Sequence, residues 1–230
     1  MSTGSPARLV LFDCDGTLVD SQNVIVSTME AAFALHGLAA PPREAVLGIV
    51  GLSLERAIAQ LLGDSAALAA EVAASYRTRF HRARKDGVPE PLYPGARELV
   101  TALAARDDTL LGIVTGKSRR GVDAVLGGHG LLEHFVTIQT ADDAPSKPDP
   151  AMVLQAIAAT GGDAAHTVVI GDTTYDMSMA RAAGAGAVGV SWGYHAPQSL
   201  PAAGAEVVLS AFGDLPPWLD ARWARAETAA

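Results

Sequence analysis

Leu9-Val10-Leu11-Phe12-Asp13-Cys14-Asp15-Gly16-Thr17 is an unbroken apolar run that ends in two carboxylates one residue apart. Such a run, bounded by turn formers, reads as a strand giving way to a loop. In extended backbone the side chains at i and i+2 point the same way, so Asp13 and Asp15 are expected to face one spot while Cys14 points elsewhere. At about 4 Å two such charges repel by roughly 1 kcal/mol in water and roughly 4 kcal/mol at an effective dielectric near 20, a conflict that a bound cation removes. Taken alone, an Asp-x-Asp-Gly step is also an ordinary turn; the rest of the chain decides between the two readings.

Downstream, short apolar runs alternate with helical segments. Strands are expected over 110–114, 135–139, 167–170, 187–190 and 207–209. Helices are expected over 96–105, 119–126, 150–159 and 175–183. Continuous apolar strands separated by helices imply a parallel sheet covered on both faces, a doubly wound α/β core. Between Asp20 and Val88 the texture differs: helix formers dominate, and Gly37, Gly63 and Gly87 stand where helices 21–36, 54–62 and 65–85 are expected to stop. This is a helical insert after the first strand, closed by a stiff return linker at Pro89-Glu90-Pro91-Leu92-Tyr93-Pro94-Gly95. The expected organisation is a core of residues 1–19 and 89–230 with a helical domain of residues 20–88. The Ala/Glu/Trp-rich tail after Leu219 is expected to fray.

At 230 residues the chain can bury a sizeable core, and its net charge of -8 gives no basic footprint for nucleic acid. Cys14 is the only cysteine, which fits a reducing compartment. The first residues do not read as a secretory signal, and no segment reaches the roughly 20 uninterrupted apolar residues of a membrane span. A cytoplasmic protein, monomeric or weakly dimeric, with no nucleic-acid or membrane partner, is expected.

Open sheets bind ligands outside the carboxyl ends of their strands. Asp13 and Asp15 follow the first strand, Thr115-Gly116-Lys117 the second, Lys147 lies in the loop after the third, and Gly171-Asp172 follows the fourth, so all converge on one edge. Each has an ordinary reading: Thr115 as a helix cap, Lys147 as a solvated lysine, Asp172 as an N-cap and Asp176 as a first-turn acid. Together those readings require four independent coincidences. Oxygen ligands at Asp172 and Asp176 suit Mg²⁺, and backbone N–H groups after Thr115 suit an anion.

Four motifs in order, Asp13-Cys14-Asp15-Gly16-Thr17, Ile113-Val114-Thr115-Gly116-Lys117, Ser146-Lys147-Pro148-Asp149-Pro150 and Gly171-Asp172-Thr173-Thr174-Tyr175-Asp176, resemble those of the haloacid dehalogenase-like hydrolases over roughly residues 9–215. The resemblance implies Asp13 as nucleophile and Asp15 as general acid/base, with Thr115 and Lys147 holding the phosphoryl group. It implies Mg²⁺ on Asp13, the Asp15 carbonyl and Asp172, with Asp176 in support. It also implies that the insert is the family's small cap. Asp15 argues against a dehalogenase, and the insert's lone lysine, Lys85 at its far end, argues against a phosphonatase. The segments DGTLVDS, GLSLERAI, LYPG and VSWGYH are similar to the phosphoglycolate phosphatase group, although Gly116 stands where Asn is common. The implied function is Mg²⁺-dependent hydrolysis of small phosphorylated metabolites through an aspartyl-phosphate, with 2-phosphoglycolate the leading substrate, Gly116 near the phosphate and Arg56 a candidate for the substrate carboxylate. A sugar phosphomutase, a pyrophosphatase and a non-catalytic phosphate-sensing protein are the alternatives.

Overall fold

A computed structural model describes residues 7–229. Six parallel strands, β1 (Arg8–Phe12), β2 (Thr109–Val114), β3 (Thr137–Gln139), β4 (Thr167–Gly171), β5 (Gly186–Val190) and β6 (Val207–Leu209), form one sheet in the order β3-β2-β1-β4-β5-β6. The order reverses between β1 and β4, and there a crevice opens at the carboxyl ends. Asp13 and Asp172 each lie one residue beyond those two strand ends.

Apolar residues run without interruption along β1 because both faces are covered. Val10 and Phe12 pack with α5 (Ala96–Ala104), α6 (Arg119–Gly128) and α10 (Leu215–Ala229), whereas Leu9 and Leu11 pack with α7 (Ala151–Thr160) and α8 (Thr174–Ala182). The strand after α6 is shorter than the sequence implies. Phe135 is buried and meets Phe12 edge-on at 6.4 Å between centroids, but it precedes the sheet as part of a loop. The tail after Leu219 does not fray over its first turns: Leu219 and Trp223 are fully buried in the core beneath β1. Removing a large buried aromatic typically costs about 3–5 kcal/mol, so this helix is held by tertiary packing. Of residues 1–8, read as lacking a secretory signal, the first six lie outside the described residues.

The segment between β1 and α5 is helical, with α1 (Gln22–Leu35), α2 (Arg43–Leu47), α3 (Leu54–Leu62) and α4 (Ala69–Lys85). Ile25, Met29, Phe33, Val46, Ile58, Val72 and Tyr76 give it a hydrophobic cluster of its own. The α2 turn, absent from the sequence reading, begins right after Pro42 and is only five residues long, too short for periodicity to show. Residues 63–68 form a 3₁₀ turn rather than the start of α4, because Gly63 takes φ 53° and Ser65 leaves the helical region. The stretch Leu54–Lys85 has the length and composition to cross a membrane. It is a kinked helix pair whose α4 packs along α1 and α3.

The two chain passages between insert and sheet are tied together. Asp20 N donates to the Pro91 carbonyl at 2.8 Å, Tyr93 N donates to the Leu18 carbonyl at 3.0 Å, and Val19 and Leu92 form an antiparallel bridge.

Candidate active site

Beyond β1 the chain does not stay extended. Gly16, at φ 89°, turns it back so that Gly16 N reaches the Val19 carbonyl at 2.9 Å. The expectation that Asp13 and Asp15 face one spot therefore changes: both line one cavity, but each carboxylate has a lysine of its own. Lys147 Nζ lies 3.0 Å from Asp13 Oδ2 and 2.5 Å from Asp176 Oδ1. Lys117 Nζ donates to Asp15 at 2.8 and 2.9 Å and to Glu90 at 3.2 Å. Much of the repulsion inherent in the sequence is thus relieved within the protein.

Asp13 is almost wholly buried. Its Oδ1 accepts from Cys14 N at 2.7 Å, while Oδ2 makes no well-formed hydrogen bond and has only the ion-pair contact with Lys147. Burial pushes its carboxyl from the usual 3.8 up to about 6; Lys147 opposes the shift and Asp176 adds to it. Asp172 is pushed well above its usual value by burial and then by Asp176 and Asp13. Burial works against the charge on Lys147, but Asp13 and Asp176 outweigh it and hold the ammonium protonated.

Asp172 accepts from Thr17 Oγ1 at 2.9 Å and from Tyr194 N at 2.8 Å. A Cβ on Gly16 or Gly193 would fall 2.3 or 2.0 Å from its side chain, so the carboxylate is clamped where only glycine fits. It is not the N-cap of α8; Thr173 is, in a capping box with Asp176. Asp176 thus combines both readings made for it, a first-turn acid and a member of the cluster. Oxygens of Asp13, Asp172 and Asp176 lie within 4.8 Å of one another. Three buried carboxylates share one ammonium, Lys147, and Asp13 Oδ2 makes no hydrogen bond. An all-oxygen donor set with that deficit fits a hard divalent cation such as Mg²⁺. The Asp15 side chain is not part of this group.

Thr115 is buried beside Asp13, where its hydroxyl favours the ionised carboxylate, and Lys147 is fully buried rather than solvated. Gly116 lines the same cavity, and it also sets the insert's position: a Cβ there would lie 2.5 Å from the Gly51 carbonyl and 2.6 Å from that of Leu52. Arg56 is not brought in. It is exposed, does not line the cavity, and reaches the Lys147 carbonyl at 3.4 Å.

Sequence reasoning missed Lys117, Glu90 and Arg84. Arg84 pairs with Glu90 at 2.5 Å, extending the Lys117 pair into α4. Burial of Glu90 in a proline-rich linker leaves no periodic signal, but the proximity of Lys117 to Thr115 in the chain was available. The insert is further fastened to the core. Tyr175 Oη and His195 Nε2 both meet the Gly48 carbonyl at 3.2 Å, and Ser53 N donates to Ser146 Oγ at 2.8 Å. Because Thr174 N donates to His195 Nδ1 at 3.1 Å, the imidazole proton must sit on Nε2 for the Gly48 bond.

Comparison with known proteins agrees with this geometry. A family model described as haloacid dehalogenase-like hydrolase matches residues 10–190. A protein of Dickeya dadantii named "Probable phosphatase IndB" is 36% identical over 90% of this chain and 91% of its own length. A phosphoglycolate phosphatase of Rhodospirillum rubrum is 32% identical over 92% and 90%. The solved structure of a hydrolase from Pseudomonas syringae superposes with a TM-score of 0.81 at 26% identity, covering 93% of this chain and 98% of that one.

Proposed function

We propose that this chain, which belongs to the haloacid dehalogenase-like hydrolases, is a phosphatase that releases phosphate from small phosphomonoesters by way of an aspartyl-phosphate on Asp13. The observation that carries the reading is the buried Asp13 Oδ2, short of a full partner, beside Lys147 and facing the cavity. A carboxylate so placed is positioned as a nucleophile, and Lys147 and Thr115 are placed to hold the phosphoryl oxygens while it attacks.

In this mechanism Asp13 forms an oxygen–phosphorus bond as the ester oxygen departs with a proton from Asp15. A water then attacks the aspartyl-phosphate and gives its proton to Asp15, restoring both carboxyl groups. Asp15, whose two oxygens accept from Lys117 in this structure, is arranged for the second of these steps. Asp13, Asp172 and Asp176 would hold Mg²⁺, which supplies charge neutralisation at the phosphoryl oxygens. Residues 20–88 act as a cap that excludes water, hinged at the paired passages near Val19 and Leu92. Positioning of this kind is worth roughly 7–11 kcal/mol of barrier.

The test is Mg²⁺-dependent phosphate release from a panel holding p-nitrophenyl phosphate, 2-phosphoglycolate, pyrophosphate and hexose phosphates, run beside Asp13→Asn. Release by the wild type alone supports the reading. Isomerisation of a hexose 1-phosphate to its 6-phosphate without release supports a mutase, and binding without turnover a phosphate sensor.

A further inference from the structure

The cavity in front of Asp13 and Asp15 measures about 670 Å³. Cavities of roughly 300–1,000 Å³ hold ligands of drug size, so this one far exceeds a two-carbon acid joined to a phosphoryl group. The volume does not come from a lifted insert. Gly48, Ser53 and the backbone at Gly51 and Leu52 are already in contact with Tyr175, Ser146 and Gly116 of the core.

Much of its wall is apolar. Ile25 and Met29 of α1, Ile49 from the segment before α3, Leu54 at the start of α3, and Tyr76 and Phe80 of α4 face the space. Cations near the floor are already matched: Lys117 by Asp15 and Glu90, Arg84 by Glu90. Arg77 pairs with Glu55 at 3.0 Å. His81, Lys85 and Arg120 also line the cavity; Lys85 and Arg120 are exposed there, and Arg120 meets His81 at 2.9 Å. Arg56, the candidate for reading a carboxylate, does not line it. A short leaving group held at Asp13 leaves most of the apolar wall unfilled, and the exposed cations stay in contact with water, where pairing with a carboxylate is worth little.

Resting on the phosphatase reading above, the geometry points to a narrower substrate class: phosphomonoesters whose leaving alcohol carries an apolar body of ring size or longer, seated between α1, α3 and α4. With the phosphoryl group held at Asp13, Thr115 and Lys147, the ester oxygen must project into this space, and each methylene it carries leaves water for the wall.

The experiment is a series of methyl, butyl, hexyl and 3-phenylpropyl phosphates, all primary alkyl esters of similar intrinsic reactivity, measured with the full chain and Mg²⁺ alongside 2-phosphoglycolate and p-nitrophenyl phosphate. The expected result is a rise in kcat/KM of about three- to fourfold per methylene until the cavity fills, with 2-phosphoglycolate below hexyl phosphate. Leu54→Asn and Phe80→Ser should each flatten the slope. A flat or falling series, or 2-phosphoglycolate above hexyl phosphate, overturns the apolar class and leaves the phosphatase reading standing. No phosphate from any ester, p-nitrophenyl phosphate included, overturns both.

Discussion

Lys117 Nζ lies 2.8 Å from Asp15 Oδ1, and its other partner is Glu90 at 3.2 Å, so one buried ammonium holds two carboxylates brought from opposite ends of the insert. Replacing it with Met leaves those carboxylates facing each other in a largely dry site. Loss of one member of a buried ion pair costs about 3–5 kcal/mol. Urea unfolding of Lys117→Met should show a loss of that size, and Lys117→Met combined with Glu90→Gln should recover a large part of it. Equal stability of single variant and wild type would show that the pair does not hold the site together.

The acidic cluster makes a prediction about pH in metal-free protein. The Asp13 carboxyl is raised from 3.8 to about 6, so the folded chain holds its proton more tightly than the unfolded one. Between those values the unfolded state binds fewer protons, and stability falls as pH rises. The full shift corresponds to about 3 kcal/mol, at 1.36 kcal/mol per pH unit. With chelator present, the unfolding midpoint should therefore drop from pH 4 to pH 6.5 by more in the wild type than in Asp13→Asn, which cannot ionise there. Asp13→Asn should remain folded yet release no phosphate, since an amide keeps the shape and loses the nucleophile.

Mg²⁺ should reverse that loss. A cation binding only the folded state stabilises it by about 2.7 kcal/mol at a hundred times its Kd. Thermal scans at pH 7.5 should show a rise in Tm with Mg²⁺ that shrinks in Asp172→Ala. An undiminished rise would remove Asp172 from the ligand set.

Much of this was legible in the chain because chemistry placed at strand ends follows from the topology. The apolar run 9–12 fixed β1, and a parallel sheet then required Thr115, Lys147 and Asp172 to converge. What stayed hidden depends on contacts that sequence spacing does not encode. Lys117, one of three lysines in the chain, gives no sign of its role until Glu90 is folded back beside it, and Arg56 reads as a substrate ligand until it is seen at the Lys147 carbonyl, off the cavity wall. Trp223 escapes notice in the sequence because Asp220, Arg222, Arg225 and Glu227 interleave it, although Leu215, Leu219 and Trp223 recur every four residues and bury one stripe in the core.

Tyr175 and His195 converge on one insert carbonyl, that of Gly48. Tyr175→Phe removes one of these bonds, worth about 0.5–1.5 kcal/mol. If the bond fastens a cap that closes over substrate, KM should rise a few-fold while kcat changes little. A fall in Tm with KM unchanged would make Tyr175 a packing residue only.

Gly116 provides the sharpest separation of insert position from chemistry. It touches the backbone of Gly51 and Leu52 so closely that a methyl group would sit 2.5 Å from one carbonyl oxygen and 2.6 Å from the other, where ordinary contact begins at 3.4 Å. Neither atom is the end of a flexible side chain, so the insert must retreat by about 1 Å, a misplacement that costs on the order of 10²-fold in rate. Both hydrophobic clusters, in the insert and beneath the sheet, keep their own contacts. Gly116→Ala should therefore lose most of its kcat/KM while its urea midpoint moves little, because the strain is relieved by rigid displacement rather than by unfolding. A variant with full activity would show that the cavity tolerates a shifted roof, and one that loses stability and activity together would show that insert and core unfold as one body.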